Sequence, residues 1–363
     1  MPTDPPSSGH GRWGRFITPA DLRHDGNVFT LVGWVLASAV MFSHAFELTG
    51  HHAGADSDPS RWLLPFPVSR LAVLLFFSLS GFLVTGSLVK RGVGDFVVAR
   101  SLRLVPGLWA MLAVTTVIAG LVFTAQPMAA YVANPGVHRY IAFNAILLGQ
   151  AYAIADVFAA NPLPFIVNGS LWTIPQEVRC YLALALIGAT GLLVHRRVFT
   201  TLFVLAEIVD LLVPGDAVRF LAAPRPLALS FFLGVLFYLW RERLFLSWPL
   251  ATVAVASALL MPIGDLKLAV AAVAFAYTML VVAIVVPARL KGLSAIVPDY
   301  SYGIYIYAFP AQQAAFALGV GKTPYANMAA AYLLMLPLAA LSWHFVEKPA
   351  LALKARWSRP TTR

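Results

Sequence analysis

The sequence has little of two things that a soluble protein of this length normally carries. It contains a single cysteine, Cys180, so no internal disulfide can form, and a disulfide-stapled secreted module is excluded. Charged residues make up only 12% of the 363 residues, about half the usual share, whereas hydrophobic residues make up 60%. A soluble fold could not bury so much apolar surface, and a chain this apolar does not stay disordered. We therefore predict that most of the chain lies in lipid.

The apolar residues are gathered in long runs. A membrane-spanning helix needs about 20 of them, and ten stretches come near that length, which predicts an all-α, polytopic integral membrane helix bundle with about ten transmembrane helices. The stretch 139–160 holds Asn144, Gln150 and Asp156, and we interpret it as a re-entrant or interfacial element. The predicted spans are 28–48, 71–89, 105–125, 170–192, 198–213, 226–240, 246–262, 266–287, 300–319 and 326–344.

The basic residues set the predicted orientation. The chain carries 26 lysines and arginines and a formal charge of +10, and most of these bases fall on one side if the N-terminus is cytoplasmic. Ten spans then place both termini in the cytoplasm, and the basic charge needs no nucleic-acid partner. The predicted domains are a disordered cytoplasmic N-terminal arm, 1–27, a membrane domain, 28–347, and a basic cytoplasmic tail, 348–363.

Few ionisable residues lie within the predicted spans, and each is a candidate for function. His44 lies near the outer end of the first span. It is either an interfacial histidine bonded to a loop or a general base, since imidazole readily exchanges protons near neutral pH. His51 and His52 lie in the following loop with two aspartates. We predict no metal site there, because adjacent histidines point apart and no third ligand is fixed by spacing.

Glu177 and Arg179 lie in the fourth span. They are two residues apart on a helix and do not face each other, so we expect each to find a partner on another span. Glu177 is either half of a structural ion pair or a carboxylate that orients His44 or a substrate hydroxyl. Ser80 and Gly81, near the middle of the second span, either permit close helix packing or line a passage.

Two arginines lie between the second and third spans. Arg100 and Arg103 are three residues apart and share one face of a helix, which suits two-point contact with phosphate groups. The alternative is that both are positive-inside anchors that touch lipid headgroups.

Taken in order, six motifs resemble the membrane acyltransferase-3 family, whose bacterial members are similar to O-acetyltransferases of surface polysaccharides. They spread from the first predicted span to the last, so the resemblance covers nearly the whole membrane domain. The motifs are Phe42-Ser43-His44, the run from Phe76 to Leu83, Arg100-Ser-Leu-Arg103-Leu-Val-Pro106, Ser170-Leu171-Trp172-Thr173 with Glu177, the run from Tyr300 to Tyr305, and Phe345-Val346-Glu347-Lys348-Pro349.

The resemblance implies an O-acyltransferase of the bacterial inner membrane. Its donor is acetyl-coenzyme A or another acyl-coenzyme A, its acceptor is a hydroxyl of a glycan or a lipid-linked saccharide at the outer side, and its other partners are membrane lipids. No metal and no nucleic acid are implied. The resemblance makes His44 the essential histidine and Arg100 and Arg103 the donor-phosphate contacts. We predict Glu177 as a second catalytic residue, and the predicted substrate-binding residues are Ser80, Gly81, Trp172, Arg179, Tyr302 and Tyr305.

One position departs from the family pattern. The family places an arginine eleven residues before the histidine, and this chain has Gly33 there. Either Arg179 or another base replaces that cation, or the chain is an acyltransferase-like protein with altered catalysis. A secondary transporter or flippase is the alternative from another class, because ten spans with buried histidine, glutamate and arginine would also suit proton-coupled transport.

Overall fold

The protein is almost entirely helical in the computed structural model, which describes residues 14–50, 58–62, 64, 66–147, 151–212, 225–261 and 265–357. The predicted all-α class is confirmed. The helices are α1 Phe29–Leu48, α2 Val68–Val122, α3 Met128–Ala133, α4 Pro135–Ala145, α5 Thr173–Ala189, α6 Arg196–Leu212, α7 Arg225–Leu239, α8 Trp248–Leu260, α9 Asp265–Ile284, α10 Ala288–Ile296, α11 Ser301–Ala317, α12 Pro324–Ser342 and α13 Lys348–Trp357.

Every predicted span contains a helix, and the second and third spans share α2. Gly92 breaks α2 with a φ of 82°, a conformation that L side chains rarely adopt, so α2 consists of two helices joined at this residue. Among the described helices, three are long and apolar enough to cross a membrane: Phe29–Leu48, Val68–Val122 and Pro324–Lys354. Ala269–Ile284 and Ala288–Ile296, bent by 89°, make a fourth if the pair is one span. The count of ten stays a prediction.

The stretch 139–160 is not one helix. After α4 ends at Ala145, the described residues 151–168 form turns and isolated bridges, and Asp156, Phe158 and Phe165 have positive φ. This agrees with the prediction that no regular span lies here. Side-chain amides replace the missing helical hydrogen bonds: Nδ2 of Asn161 donates to Oε1 of Gln313 at 2.7 Å, and Nε2 of Gln313 donates to the Ile166 carbonyl at 2.7 Å.

The chain divides into two compact units, where the sequence predicts one membrane domain. The first unit comprises Met1–Val32, Leu74–Gly86 and Gly191–Pro298. The second comprises Gly33–Val73, Ser87–Thr190 and Asp299–Arg363.

In the first unit, the described part of the N-terminal arm is ordered. Strand β1, Arg15–Phe16, pairs antiparallel with β2, Phe245–Leu246. Nη2 of Arg15 contacts Oδ1 of Asp21 at 2.6 Å and donates to the Ile284 carbonyl at 2.8 Å. The prediction of a disordered arm is therefore wrong for residues 14–27, because a strand pair and a salt bridge hold a segment whose polar sequence shows no periodicity.

In the second unit, α11 is the buried centre. Tyr302, Ile304 and Ile306 are buried, and polar side chains satisfy backbone groups around them. Nδ2 of Asn168 donates to the Ile306 carbonyl at 2.8 Å, and Nε2 of Gln312 donates to the Met41 carbonyl at 2.9 Å. These bonds fix α11 against α1 and against the segment before α5, which carry the predicted site residues.

Candidate active site

His44 lies on α1 in an apolar setting. Its ring packs against that of Phe309 of α11 in a T-shaped arrangement, with ring centroids 5.3 Å apart. Its Nδ1 is buried and has no hydrogen-bond partner among the described residues. One turn earlier, the Met41 carbonyl accepts the Gln312 amide, which holds this part of α1 in place. Packing therefore holds His44, and its Nδ1 makes no hydrogen bond to the described residues.

Glu177 and Arg179 find partners on their own helix. The Tyr181 hydroxyl donates to Oε1 of Glu177, and Nη1 of Arg179 donates to Oε1 of Gln176 at 3.0 Å. These bonds join residues four and three apart on one helix face. The partners that the sequence predicts on other spans stay a prediction. Arg179 is exposed. Because Nδ1 of His44 has no partner among the described residues, no hydrogen bond at that atom joins the ring to Glu177.

The two predicted tyrosines serve the packing of α11. The Tyr302 hydroxyl donates to the Leu104 carbonyl of α2 at 2.9 Å. The Tyr305 hydroxyl lies 2.7 Å from Oγ1 of Thr173, at the start of α5 beside the exposed Trp172. Both rings lie within electrostatic range of Glu177. The structure thus brings Tyr302, Tyr305 and Glu177 into one neighbourhood.

Arg103 lies in an internal charge cluster. Its Nη2 is 2.7 Å from Oδ2 of Asp299, and its Nη1 is 3.4 Å from Oε2 of Glu347. The guanidinium carbon is 5.7 Å from the centroids of both the Tyr302 and the Trp343 rings. Glu347 is only 1% exposed. The charge of Arg103 is therefore compensated inside the protein, and its predicted phosphate contact stays a prediction.

Sequence reasoning missed the roles of Asp299 and Glu347. Ser342 also donates to Oε1 of Glu347, at 2.8 Å, from the other end of the single π-helical turn Trp343–Glu347. Such turns recur at functional sites. A glutamate at the end of an apolar helix was the available signal, but its partner is distant in sequence, and spacing alone does not reveal it.

Arg100 differs from Arg103. Its guanidinium carbon lies 5.9 Å from the centroid of the Tyr181 ring. Its Nε is buried and has no hydrogen-bond partner among the described residues. The two arginines lie three residues apart on α2 but have different electrostatic surroundings.

Ser80 and Gly81 belong to the first unit, whereas the other predicted site residues belong to the second. A Cβ at Gly81 would lie 2.0 Å from the Phe231 carbonyl oxygen of α7, and a Cβ at Gly234 would lie 2.0 Å from the Ser78 carbonyl oxygen. The two glycines allow the α2 and α7 backbones to approach each other closely. For Gly81, this geometry agrees with the first of the two alternatives, that it permits close helix packing.

A metal site has no support in the described part of the chain, which holds no group of three or more histidine, cysteine, aspartate or glutamate residues placed to bind an ion. His51 and His52 lie outside the described residues.

Comparison with known proteins identifies the class of molecule that carries this site. The model of a family described as "Acyltransferase domain" matches residues 31–344, so the chain belongs to the membrane-embedded acyltransferase-3 family and is an acyl-transferring enzyme. An "O-acetyl transferase" of Shigella phage Sf6 is 28% identical over 343 residues, which cover 90% of this chain and 96% of that protein. "Nodulation protein 10" of Rhizobium leguminosarum bv. viciae is 30% identical over 377 residues, which cover 90% and 94%. No solved structure matches the chain.

Proposed function

We propose that the protein is an O-acetyltransferase of the bacterial inner membrane, with about ten spans and both termini in the cytoplasm. It takes an acetyl group from cytoplasmic acetyl-coenzyme A and passes it to a hydroxyl of a glycan or lipid-linked saccharide at the outer side. The likeness to a protein named O-acetyl transferase over 96% of that protein supports the acetyl group. The observation that carries the proposal is the buried Nδ1 of His44, which has no hydrogen-bond partner among the described residues, within a family of acyltransferases.

The chemistry requires a proton acceptor near the reacting hydroxyl. A neutral His44 takes the proton as the hydroxyl oxygen attacks the thioester carbonyl, the carbon–sulfur bond breaks, and the leaving thiolate regains a proton from the imidazolium. The products are the acetyl ester and free coenzyme A. The Phe309 ring packs against the imidazole at an interplanar angle of 77° and so helps to orient it. If the reaction passes through an acyl-enzyme, the same histidine would act in both transfer steps.

Transfer of label tests the proposal. The purified full-length protein, reconstituted in lipid, receives acetyl-labelled acetyl-coenzyme A and a bacterial glycan extract. We expect label in ester linkage on the glycan and a loss of at least about a hundredfold in rate for His44→Gln, since general base catalysis contributes about 10²–10⁴-fold. His138→Gln, at an exposed histidine of the same unit, is the matched control. Full turnover by His44→Gln contradicts the base assignment, and absence of glycan label with the unsubstituted protein contradicts the transferase.

A further inference from the structure

The contact between α1 and α11 contains two buried polar atoms that no described residue satisfies. They are Nδ1 of His44 and Oε1 of Gln312. Both residues belong to the second unit, and Gln312 is 0% exposed. Buried polar atoms almost always have a hydrogen-bond partner, because an atom without one has lost its bonds to water and gained nothing in return. Two such atoms at one helix contact therefore need a physical explanation.

Two contacts one helical turn apart place these side chains in neighbouring layers of the same helix pair. The His44 ring packs against Phe309, with centroids 5.3 Å apart. One turn further along α11, Nε2 of Gln312 donates at 2.9 Å to the carbonyl of Met41, one turn before His44. In an α-helix that carbonyl also accepts from the N–H of residue 45. The Gln312 amide therefore lies beside the α1 backbone at the residue that follows His44.

The direction of the Gln312 amide is fixed by its partners. A carbonyl oxygen can only accept, so the bond to Met41 requires Nε2 at that end of the amide and directs Oε1 away from it. The Gln312 backbone is held as well, because Nδ2 of the buried Asn327 donates to its carbonyl at 2.9 Å. Oε1 of Gln312 is thus an acceptor held in place from α1 and from α12, and a donor is what it needs.

We propose that Oε1 of Gln312 accepts a hydrogen bond from Nδ1–H of His44, and that Gln312 is a positioning residue of the enzyme. A neutral imidazole carries one proton, so this bond leaves Nε2 of His44 to accept the proton of the reacting hydroxyl. The ring turns towards Gln312 to close the bond, since in apolar surroundings the bond gains more than the rotation costs. Gln312 then has the orienting role that the sequence suggests for Glu177.

The proposal rests on the proposed function, in which His44 is the base, but its first test does not need activity. Nitrogen NMR distinguishes the two tautomers of a histidine. The full-length protein, with isotope-labelled histidine, is reconstituted in lipid and measured at about pH 8, where an ordinary imidazole is neutral. The chain has 8 histidines, and the signals of His44 are those that disappear in His44→Gln. We expect the proton on Nδ1.

Gln312→Met keeps the approximate size of the side chain and removes the acceptor. We expect the His44 proton to shift towards Nε2 and kcat for acetyl transfer to fall by about tenfold to a hundredfold, because misplacement of a reacting group by about 1 Å can cost about 10²-fold. KM should stay within about twofold. Gln312→Glu is expected to rescue both readouts: a protonated carboxyl group donates to the Met41 carbonyl and keeps an acceptor oxygen for His44.

Gln313→Met is the matched control. Gln313 is the next residue of α11 and is equally buried, but its amide bonds to Asn161 and to carbonyls of the irregular segment and not to α1. This variant is expected to lower the melting temperature and to leave the His44 tautomer unchanged. Melting temperatures of all variants are measured beside the spectra.

A proton on Nε2 of His44 in the unsubstituted protein overturns the proposal, whether or not any variant folds. An unchanged tautomer in folded Gln312→Met overturns it too, and a changed tautomer at an unchanged kcat removes the positioning role. The proposed function fails separately: the expected tautomers without acetyl transfer to a glycan establish the bond between His44 and Gln312 and contradict the transferase.

Discussion

Gly33 lies directly against Ser301: a Cβ at position 33 would be 2.9 Å from Cβ of Ser301 and 3.1 Å from its Oγ. Oγ of Ser301 in turn donates to Asp299 at 2.5 Å, and Asp299 binds Arg103. The position where the family pattern has an arginine is thus a close contact between α1 and the start of α11. A side chain at position 33 would meet Cβ and Oγ of Ser301, the residue that binds Asp299.

Introducing the family arginine as Gly33→Arg is expected to destabilise the protein without raising its transfer rate. Even Gly33→Ala gains only about 0.5–1 kcal/mol from the lost flexibility of glycine, while overpacking costs about 1–3 kcal/mol. The net loss is about 1 kcal/mol for alanine and larger for arginine. Melting temperatures in detergent measure the loss. Ser301→Gly should rescue Gly33→Ala in a double-mutant cycle; higher activity of Gly33→Arg at an unchanged melting temperature contradicts this reading.

Glu347→Gln is expected to cost more stability than Asp299→Asn. Glu347 is 1% exposed and Asp299 is 36% exposed, so water compensates Arg103 at the Asp299 side and not at the Glu347 side. Breaking a buried pair costs about 3–5 kcal/mol, whereas a surface pair contributes about 0–1 kcal/mol. Thermal unfolding of the two variants side by side measures the difference, and equal losses would show that Glu347 is not the principal partner.

Gly81→Ala is expected to lower stability by about 3 kcal/mol, near the upper end for overpacking, because the added methyl group would meet the Phe231 backbone at 2.0 Å and backbone atoms cannot move aside. Gly94→Ala, in the part of α2 that follows the break at Gly92, is the matched control. Nothing lies within 4 Å of a Cβ at position 94, so this change should be neutral or should stabilise by about 0.5–1 kcal/mol. Chemical unfolding of both variants provides the comparison, and a stable Gly81→Ala protein argues against close backbone packing.

The stability that Asp21 contributes is expected to depend on pH. Burial raises the pKa of this carboxyl, but hydrogen bonds from Thr18 and Arg15 and the charge of Arg15 outweigh it, so the net pKa is lowered. A group whose folded pKa is lowered stabilises fully above its unfolded value of about 3.9, and the contribution disappears as pH falls through the folded value.

The difference in melting temperature between the unsubstituted protein and Asp21→Asn should therefore be constant from pH 7 to about pH 5 and shrink below about pH 4. Asp25→Asn is the control, since the salt bridge of Asp25 to Arg23 is 65% and 73% exposed and adds little. A difference that does not shrink at all below about pH 4 means that Asp21 acts through shape and not through charge.

The apolar runs predicted where helices lie, because a run of about 20 apolar residues has few other stable conformations. They did not predict that the second and third spans share α2, Val68–Val122, with a break at Gly92, since a positive φ leaves no mark on hydropathy. The order of residues 14–27 was missed for a related reason: the salt bridge of Arg15 with Asp21 and the strand pairing to Phe245 involve contacts that local periodicity does not encode.

For the candidate site, residue type was more informative than spacing. A histidine in an apolar run marked His44, and the three-residue spacing marked Arg100 and Arg103 as neighbours. Spacing could not show that Arg103 is paired with Asp299 and Glu347, because these residues lie about 200 and 240 residues away along the chain. The partners of an ion are determined by tertiary packing, which one sequence read alone does not supply.

Asn161 and Gln313 illustrate what such packing requires. The Asn161 amide donates to both the side chain and the backbone of Gln313, and the Gln313 amide donates to two carbonyls of the irregular segment, those of Leu163 and Ile166. Exchange of either residue for an apolar one would leave the other with groups that neither lipid nor helix can satisfy. We therefore expect positions 161 and 313 to covary in evolution: a relative that has replaced one amide is expected to have replaced the other.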